Sequence, residues 1–359
     1  MTGAYFGAYF AIVKLALERA RESWRELCAI AAVVVLGNWL TAAVLNMCRT
    51  VYRGENPLRT GVHVCALDFS ATGIVPIVAI SLVVEARILG WEASSLKRLF
   101  DCKTTSVRTD LFYLVLNCAN LHLLLGFFFS LGAGYWLQLR MQDAFGWKLL
   151  KDAPLGAAFI VQWFVGSLVF FAQHRVQHTR FLWEFHKIHH AAEDMDLANN
   201  FRSHPLMITM RTVMETLPGA VLGINPGVLL AYSAAAGVIV IWQHSDVDWN
   251  LPVLERYVAI GARGHRIHHS RFDRHFSKNM GFFVFWDWLF GTLLVDESAR
   301  SAPIGILDPL HNRRGAAREM LLVQASGVRT FAREAGAWAA GPGRPPDVER
   351  DRGPSGSSS

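Results

Sequence analysis

Hydrophobic positions run in long blocks along this chain, separated by short polar stretches. Four blocks come first, at about 28–47, 68–89, 111–137 and 155–173. The first, CAIAAVVVLGNWLTAAVLNM, contains no charged residue. About 20 such residues in a helix cross a bilayer, so the blocks predict an all-α integral membrane protein with about four transmembrane helices. A fifth apolar region, 206–242, is interrupted by Pro218 and by Asn225–Pro226. Proline ends or bends helices, so this region is expected to be a helical hairpin that enters and returns on the same side. Within it Arg211 and Glu215 stand at i,i+4 and should pair or face protein. Ahead of the first block, AIVKLALERARESWREL mixes charge with apolar residues. It reads as an amphipathic helix on the membrane surface rather than a cleavable leader.

These patterns divide the chain into an amphipathic segment 1–27, an N-terminal transmembrane region 28–154, a histidine-rich region 155–296 and a polar segment 297–340. The last includes an amphipathic helix near 316–335. The stretch 341–359, rich in Pro, Gly and Ser, is expected to be disordered.

Composition agrees with a membrane protein. Apolar residues make up 52% of the chain and charged residues 18%, against about 25% charged in typical soluble domains. The net charge of +6 comes from Lys and Arg beside the apolar blocks, with no aromatic-interleaved basic face that would read nucleic acid. With the N-terminus placed in the cytoplasm, the loops on that side carry more Lys and Arg (Arg87, Lys97, Arg98, Lys103 and Arg108 among them) than the opposite ones. That orientation satisfies the positive-inside rule and delivers His174 to the cytoplasmic face. The five cysteines form no C-x-x-C pair and read as small buried hydrophobes.

The histidines change the picture most. Eleven of 14 fall between 174 and 275. His174 and His178 are spaced i,i+4. His186, His189 and His190 are spaced i, i+3, i+4, and so are His265, His268 and His269. On helices such sets share a face, and each lies at the cytoplasmic end of an apolar block. His204 precedes the hairpin and His244 follows it, at matching depth. Ten imidazoles exceed the roughly four ligands of one zinc ion, so the set implies at least two metals. Imidazole suits zinc, copper, iron and nickel alike. No Glu lies between the paired histidines as a zinc hydrolase needs, and no Glu-x-x-His accompanies them as a carboxylate-bridged di-iron bundle needs. His63, His122 and His311 stand alone and are expected to make ordinary polar contacts; His275 is off the spacing and is left out.

The segments HRVQH, LWEFHKIHH, RSHP, WQHS, HRIHHSR and KNMGFFVFWDWLFGTL, from about Gln162 to Leu294, resemble the membrane-bound fatty acid hydroxylase and sterol desaturase superfamily. The resemblance implies a non-haem di-iron oxygenase with His174, His178, His186, His189, His190, His265, His268 and His269 as ligands, joined by His204 and His244. It implies dioxygen as co-substrate and a lipid whose C–H bond is hydroxylated or desaturated: sterol-like, hopanoid-like, fatty acyl, ether lipid or carotenoid. The chain departs from that family at Lys278–Asn279–Met280–Gly281, where an acidic or small polar residue often precedes an Asn-aromatic-Gly.

Neither a dinucleotide fingerprint nor a haem or iron–sulfur motif is present. Electrons are therefore expected from an external cytoplasmic carrier, ferredoxin-like or a small haem protein, with its reductase. Two rival classes were weighed. A zinc transporter would place ligands along a path through membrane helices and carry low-complexity His loops, whereas these boxes keep fixed spacing at one depth. A scaffold that had lost its metal would show a broken box, and all three are intact. Asp246, Asp248, Glu184 and Asp273 are candidates either to orient imidazoles or to lie solvated at the interface. Trp286 and Trp288 are candidate interface anchors.

Overall fold

The computed structural model describes residues 24–54, 69–134, 152–248, 252–296, 302–308 and 310–339, with isolated positions besides. The surface helix expected over 1–27 lies mostly outside the described residues, as does the tail 341–359. Residues 24–27 already belong to the first long helix.

The described secondary structure is helical, with two isolated β-bridges, Ala259 to Phe283 and Ser270 to Ile304. The long apolar helices are α1 (Trp24–Tyr52), α2 (Phe69–Leu89) and α6 (Leu155–Gln177). Between α2 and α6 lie α3 (Ser95–Asp101), α4 (Thr105–Cys118) and α5 (Leu121–Phe129). Then come α7 (Trp183–His190), α8 (Pro205–Leu222), α9 (Pro226–Gln243), α10 (Pro252–Tyr257), α11 (Ala262–His268), α12 (Val284–Leu289) and α13 (Ala316–Ala339).

Two of the described helices, α1 and α6, are long and apolar enough to cross a membrane, and a bent pair, α4 with α5, makes a third if counted as one span. The sequence pattern had four such blocks. On α1 only Gly37, Thr41 and Thr50 are buried, while Val35, Leu36 and Trp39 face outward. That is the surface lipid solvates.

The block read as continuous over 111–137 is broken. α4 and α5 meet at 92°, with Asn120 in the left-handed region at φ 54°. A bend frees peptide groups, which must find partners. Asn38 on α1 supplies them, donating to the Cys118 carbonyl (2.9 Å) and accepting from Asn120 Nδ2 (2.8 Å). Gly37 allows the approach, since a β-carbon there would lie 2.9 Å from Ala119 Cβ.

The hairpin expected over 206–242 is α8 and α9. Pro218 lies within α8 and does not break it; the break is at Gly223 (φ 65°) and Asn225, whose Oδ1 caps Gly227 N at 2.8 Å. Both helices pack on α6, and α8 also packs on α5. Arg211 and Glu215 stand 3.9 Å apart on α8. The helix expected near 316–335 runs to Ala339 and packs on α7, with Met320 and Val323 in a core shared with Tyr113, Phe185, Ile188 and Met207. Its Gly327 rests against the Phe185 ring, which a β-carbon would strike.

Candidate metal centre

Four helix ends converge. α6 presents His174 in its last turn and His178 just beyond it. α7 carries His186, His189 and His190. His244 ends α9, and α11 carries His265 and His268, followed by His269. All nine rings are buried.

They form two groups: His174, His178, His186, His190 and His268; and His189, His244, His265 and His269. Within each, one ring nitrogen per residue lies within 4.8 Å of all the others. Helical spacing explains the division. On α7 the i,i+4 pair His186 and His190 enters the first group while His189 crosses to the second. On α11 the i,i+4 pair His265 and His269 enters the second while His268 crosses to the first. The groups adjoin, with the His190 and His269 rings stacked at 4.4 Å.

Several rings have a fixed tautomer. His174 Nδ1 lies 2.6 Å from the Met280 carbonyl and His268 Nδ1 lies 2.9 Å from that of Lys278. His189 Nδ1 meets the Arg202 carbonyl (3.2 Å), and His244 Nδ1 meets that of Val240 (3.0 Å). A carbonyl only accepts, so each Nδ1 donates its proton and each Nε2 keeps a lone pair. His189 Nε2 and His244 Nε2 nevertheless face each other at 3.3 Å. Two lone pairs so placed have no proton to share; a cation between them resolves the conflict. Other Nε2 separations are 3.0–3.2 Å: His174 to His186, His190 to His178 and His186, and His265 to His244 and His269. Nitrogens bound about 2.0–2.1 Å from one ion sit roughly 3 Å apart. His268 Nε2 is buried without a partner among the described residues. Donor set and spacing both fit a di-metal site.

Electrostatics agree. Burial pushes the pKa of His178, His186, His189, His190, His265, His268 and His269 well below the ordinary imidazole value, and neighbouring rings add to the effect. The rings are therefore neutral at pH 7, the form that ligates.

The tenth histidine stands apart. His204 lies outside both groups, between Phe129 and Phe185. Its Nδ1 accepts from Leu206 N at the start of α8 and its Nε2 meets the Met320 carbonyl, so both nitrogens are engaged. His311, expected to make an ordinary polar contact, is buried against Glu319 Oε1 at 2.7 Å. His275 is buried beside Ser270 and Asp296. Glu184 pairs with Lys187, Asp246 with Arg98 and Arg266, and Asp248 with Arg263. Trp286 turns inward and donates to Ser167 Oγ, whereas Trp288 is exposed.

The residues that hold the rings were not apparent from the sequence. Arg202, fully buried, donates to the Ile188 carbonyl on α7 (2.8 Å) and pairs with Asp110 (3.1 Å) and Glu319 (3.7 Å). Asp287 accepts from Met280 N, Gly281 N and Thr292 Oγ1 at 2.7–2.8 Å, and so fixes the loop 278–281. Asn279, at φ 53°, donates to the Gly264 and Leu294 carbonyls. A small, partly open cleft of about 50 Å3 lies between α6, α8 and α9 and reaches rings of both groups.

Residues 159–292 match the fatty acid hydroxylase family. The human alkylglycerol monooxygenase is 29% identical over 165 residues, 44% of this chain and 34% of that one. The ornithine lipid hydroxylase OlsE of Rhizobium tropici is 27% identical over 155 residues, 43% and 46% of the two chains. This chain therefore spans between a third and a half of the length of those relatives. No solved structure matches it. The matched segment, a little over a third of the chain, contains all nine clustered histidines, and it is this segment that is similar to the fatty acid hydroxylase family.

Proposed function

We propose that this protein is an oxygen-dependent di-iron oxidoreductase that hydroxylates or desaturates a C–H bond of a membrane lipid. The observation that carries the reading is the pair of adjoining all-histidine groups with facing lone pairs. Two irons held there would supply the dioxygen activation that side chains cannot. His174, His178, His186, His190 and His268 would hold one ion; His189, His244, His265 and His269 the other.

The chain's own residues orient and shield. The Lys278, Met280, Arg202 and Val240 carbonyls keep the Nδ1 protons outward. Phe170, Met207, Ile208 and Val240 give the cleft apolar walls that would hold a lipid chain and exclude water. His204 serves structure, capping α8. On this reading four apolar segments cross the bilayer, the α8–α9 hairpin returns, and the metal groups face the cytoplasm, where an external electron carrier reaches them. The distribution of Lys and Arg supports that orientation.

Elemental analysis of detergent-purified protein from iron-replete cells tests the reading. About two irons per chain are expected, and a folded sample holding no metal, even after reconstitution with ferrous iron, overturns it. A second reading, an ether-lipid monooxygenase on the same site, is favoured by the name of the human relative. Turnover of alkylglycerol lipids in preference to acyl lipids would establish it.

A further inference from the structure

The cleft that reaches the histidines contains a charge. Arg211 projects into it from α8, beside the apolar residues Met207 and Ile208 of the same helix. A guanidinium among apolar helices is costly and is found where it meets a partner or a polar substrate. Its only ion pair among the described residues is with Glu215, through Nε at 3.9 Å, and both side chains remain about a third exposed (37% and 34%). At that distance the contact is no close hydrogen bond. The two terminal nitrogens have no partner among the described residues. They form a two-pronged donor, the geometry that suits a carboxylate or phosphate.

The rest of the lining is mixed: Phe170, Met207, Ile208 and Val240 are apolar, whereas Gln173, Gln177, Asn200 and Ser203 are polar. A pocket for the middle of a hydrocarbon chain needs no such polar residues, because amides and hydroxyls buried without partners weaken binding. A pocket for the junction between headgroup and chain needs both. Resting on the reading of this cleft as the lipid site, we propose that the substrate is an anionic amphiphile, bearing a carboxylate or a phosphate that docks on Arg211. The bond oxidised then lies near the headgroup, because Arg211 and the rings of His174, His186, His189, His244 and His265 line one cleft. Glu215 competes for the guanidinium and tempers its hold on the anion.

The test is equilibrium binding to the full-length protein in a neutral detergent at about 0.15 M salt, which screens exposed charges. The probes share one chain length: a monoacylglycerol, the corresponding acylglycerol phosphate and an N-acyl amino acid. The wild type should bind at least one anionic probe roughly tenfold more tightly than the neutral one, on the scale of one charge-assisted hydrogen bond. Whichever anionic probe shows the preference identifies phosphate or carboxylate as the headgroup. Arg211→Gln should abolish the preference and Arg211→Lys should retain most of it. Glu215→Gln should increase it by freeing the guanidinium, which keeps the proposal testable even if Arg211→Gln misfolds. No preference in the wild type, a preference unchanged in Arg211→Gln, or one not raised in Glu215→Gln overturns the proposal. Metal content, measured on the same samples, reports separately on the di-metal reading: a wild type with two metals and no anionic preference defeats only the headgroup assignment.

Discussion

The two histidine groups share α7 and α11 in mirrored proportion but are braced differently. The first takes a pair from α6, a pair from α7 and one ring from α11; two of its rings, His174 and His268, are held by peptide carbonyls of the loop 278–281. That loop is fastened by the hydrogen bonds of Asp287 and Asn279. The second takes a pair from α11 and single rings from α7 and from the end of α9. Its His189 is held by the peptide of Arg202, a buried cation set between two carboxylates. One seat thus depends on a loop strapped by buried hydrogen bonds and the other on a charged knot of Arg202 and two carboxylates, so perturbation should separate them.

The largest effects come from the rings. His268→Ala removes a ring from the first group and His269→Ala one from the second. Each is expected to abolish turnover and to reduce metal content from about two ions toward about one, read by elemental analysis. Full activity in either variant would remove that box from the site. Next is Arg202→Met, which leaves Asp110 and Glu319 buried without their cation. It should lower stability by about 3–5 kcal/mol, measured by denaturant unfolding, and loosen the second group through His189 and Ile188.

Asp287→Asn sharpens the comparison from the other side. The new amide group confronts one of the donors that Asp287 now accepts, at a cost of about 1–3 kcal/mol. Metal affinity should fall about 10–100-fold at the first group while the second keeps its ion; equal loss at both would show that the loop braces the whole centre. The last effect, a pH dependence, is shared by both groups and so separates them least. Burial lowers the folded-state pKa of rings such as His178, His190 and His269, so protonation favours the unfolded chain. The metal-free protein should hold its full histidine contribution above about pH 6.5 and lose stability as the pH falls below it. Thermal unfolding of chelator-treated protein between pH 8 and 5 would show it, and a melting temperature that rises on acidification would contradict it.

The sequence made some of this centre legible and concealed the rest for physical reasons. The helical spacing of the boxes accounts for eight of the nine grouped histidines, and His244, chosen for its place after the hairpin, is the ninth. His204 carried the same residue type at the same depth, yet the neighbouring Arg202 is the residue that reaches the centre, through its peptide carbonyl and the carbonyl of Ile188. Nothing in a string of letters marks which arginine will be swallowed whole. The bend at Asn120 was equally hidden, because apolar residues surround it and its partner, Asn38, is 82 positions away. The helix over 316–335 showed its amphipathic pattern, but not that Gly327 would admit Phe185 of α7.

The atoms that hold His174 and His268 at the loop 278–281 belong to peptide groups, not side chains. Every amino acid carries that carbonyl, so the side chains at 278 and 280 can change while the hydrogen bonds persist. Drift at 278 or 280 is thus silent for the metals, whereas Asp287 and Asn279, which act through their side chains, have no such latitude. A protein that entrusts ligand orientation to its backbone frees the half-exposed position 278 for other uses, while packing alone constrains the buried Met280.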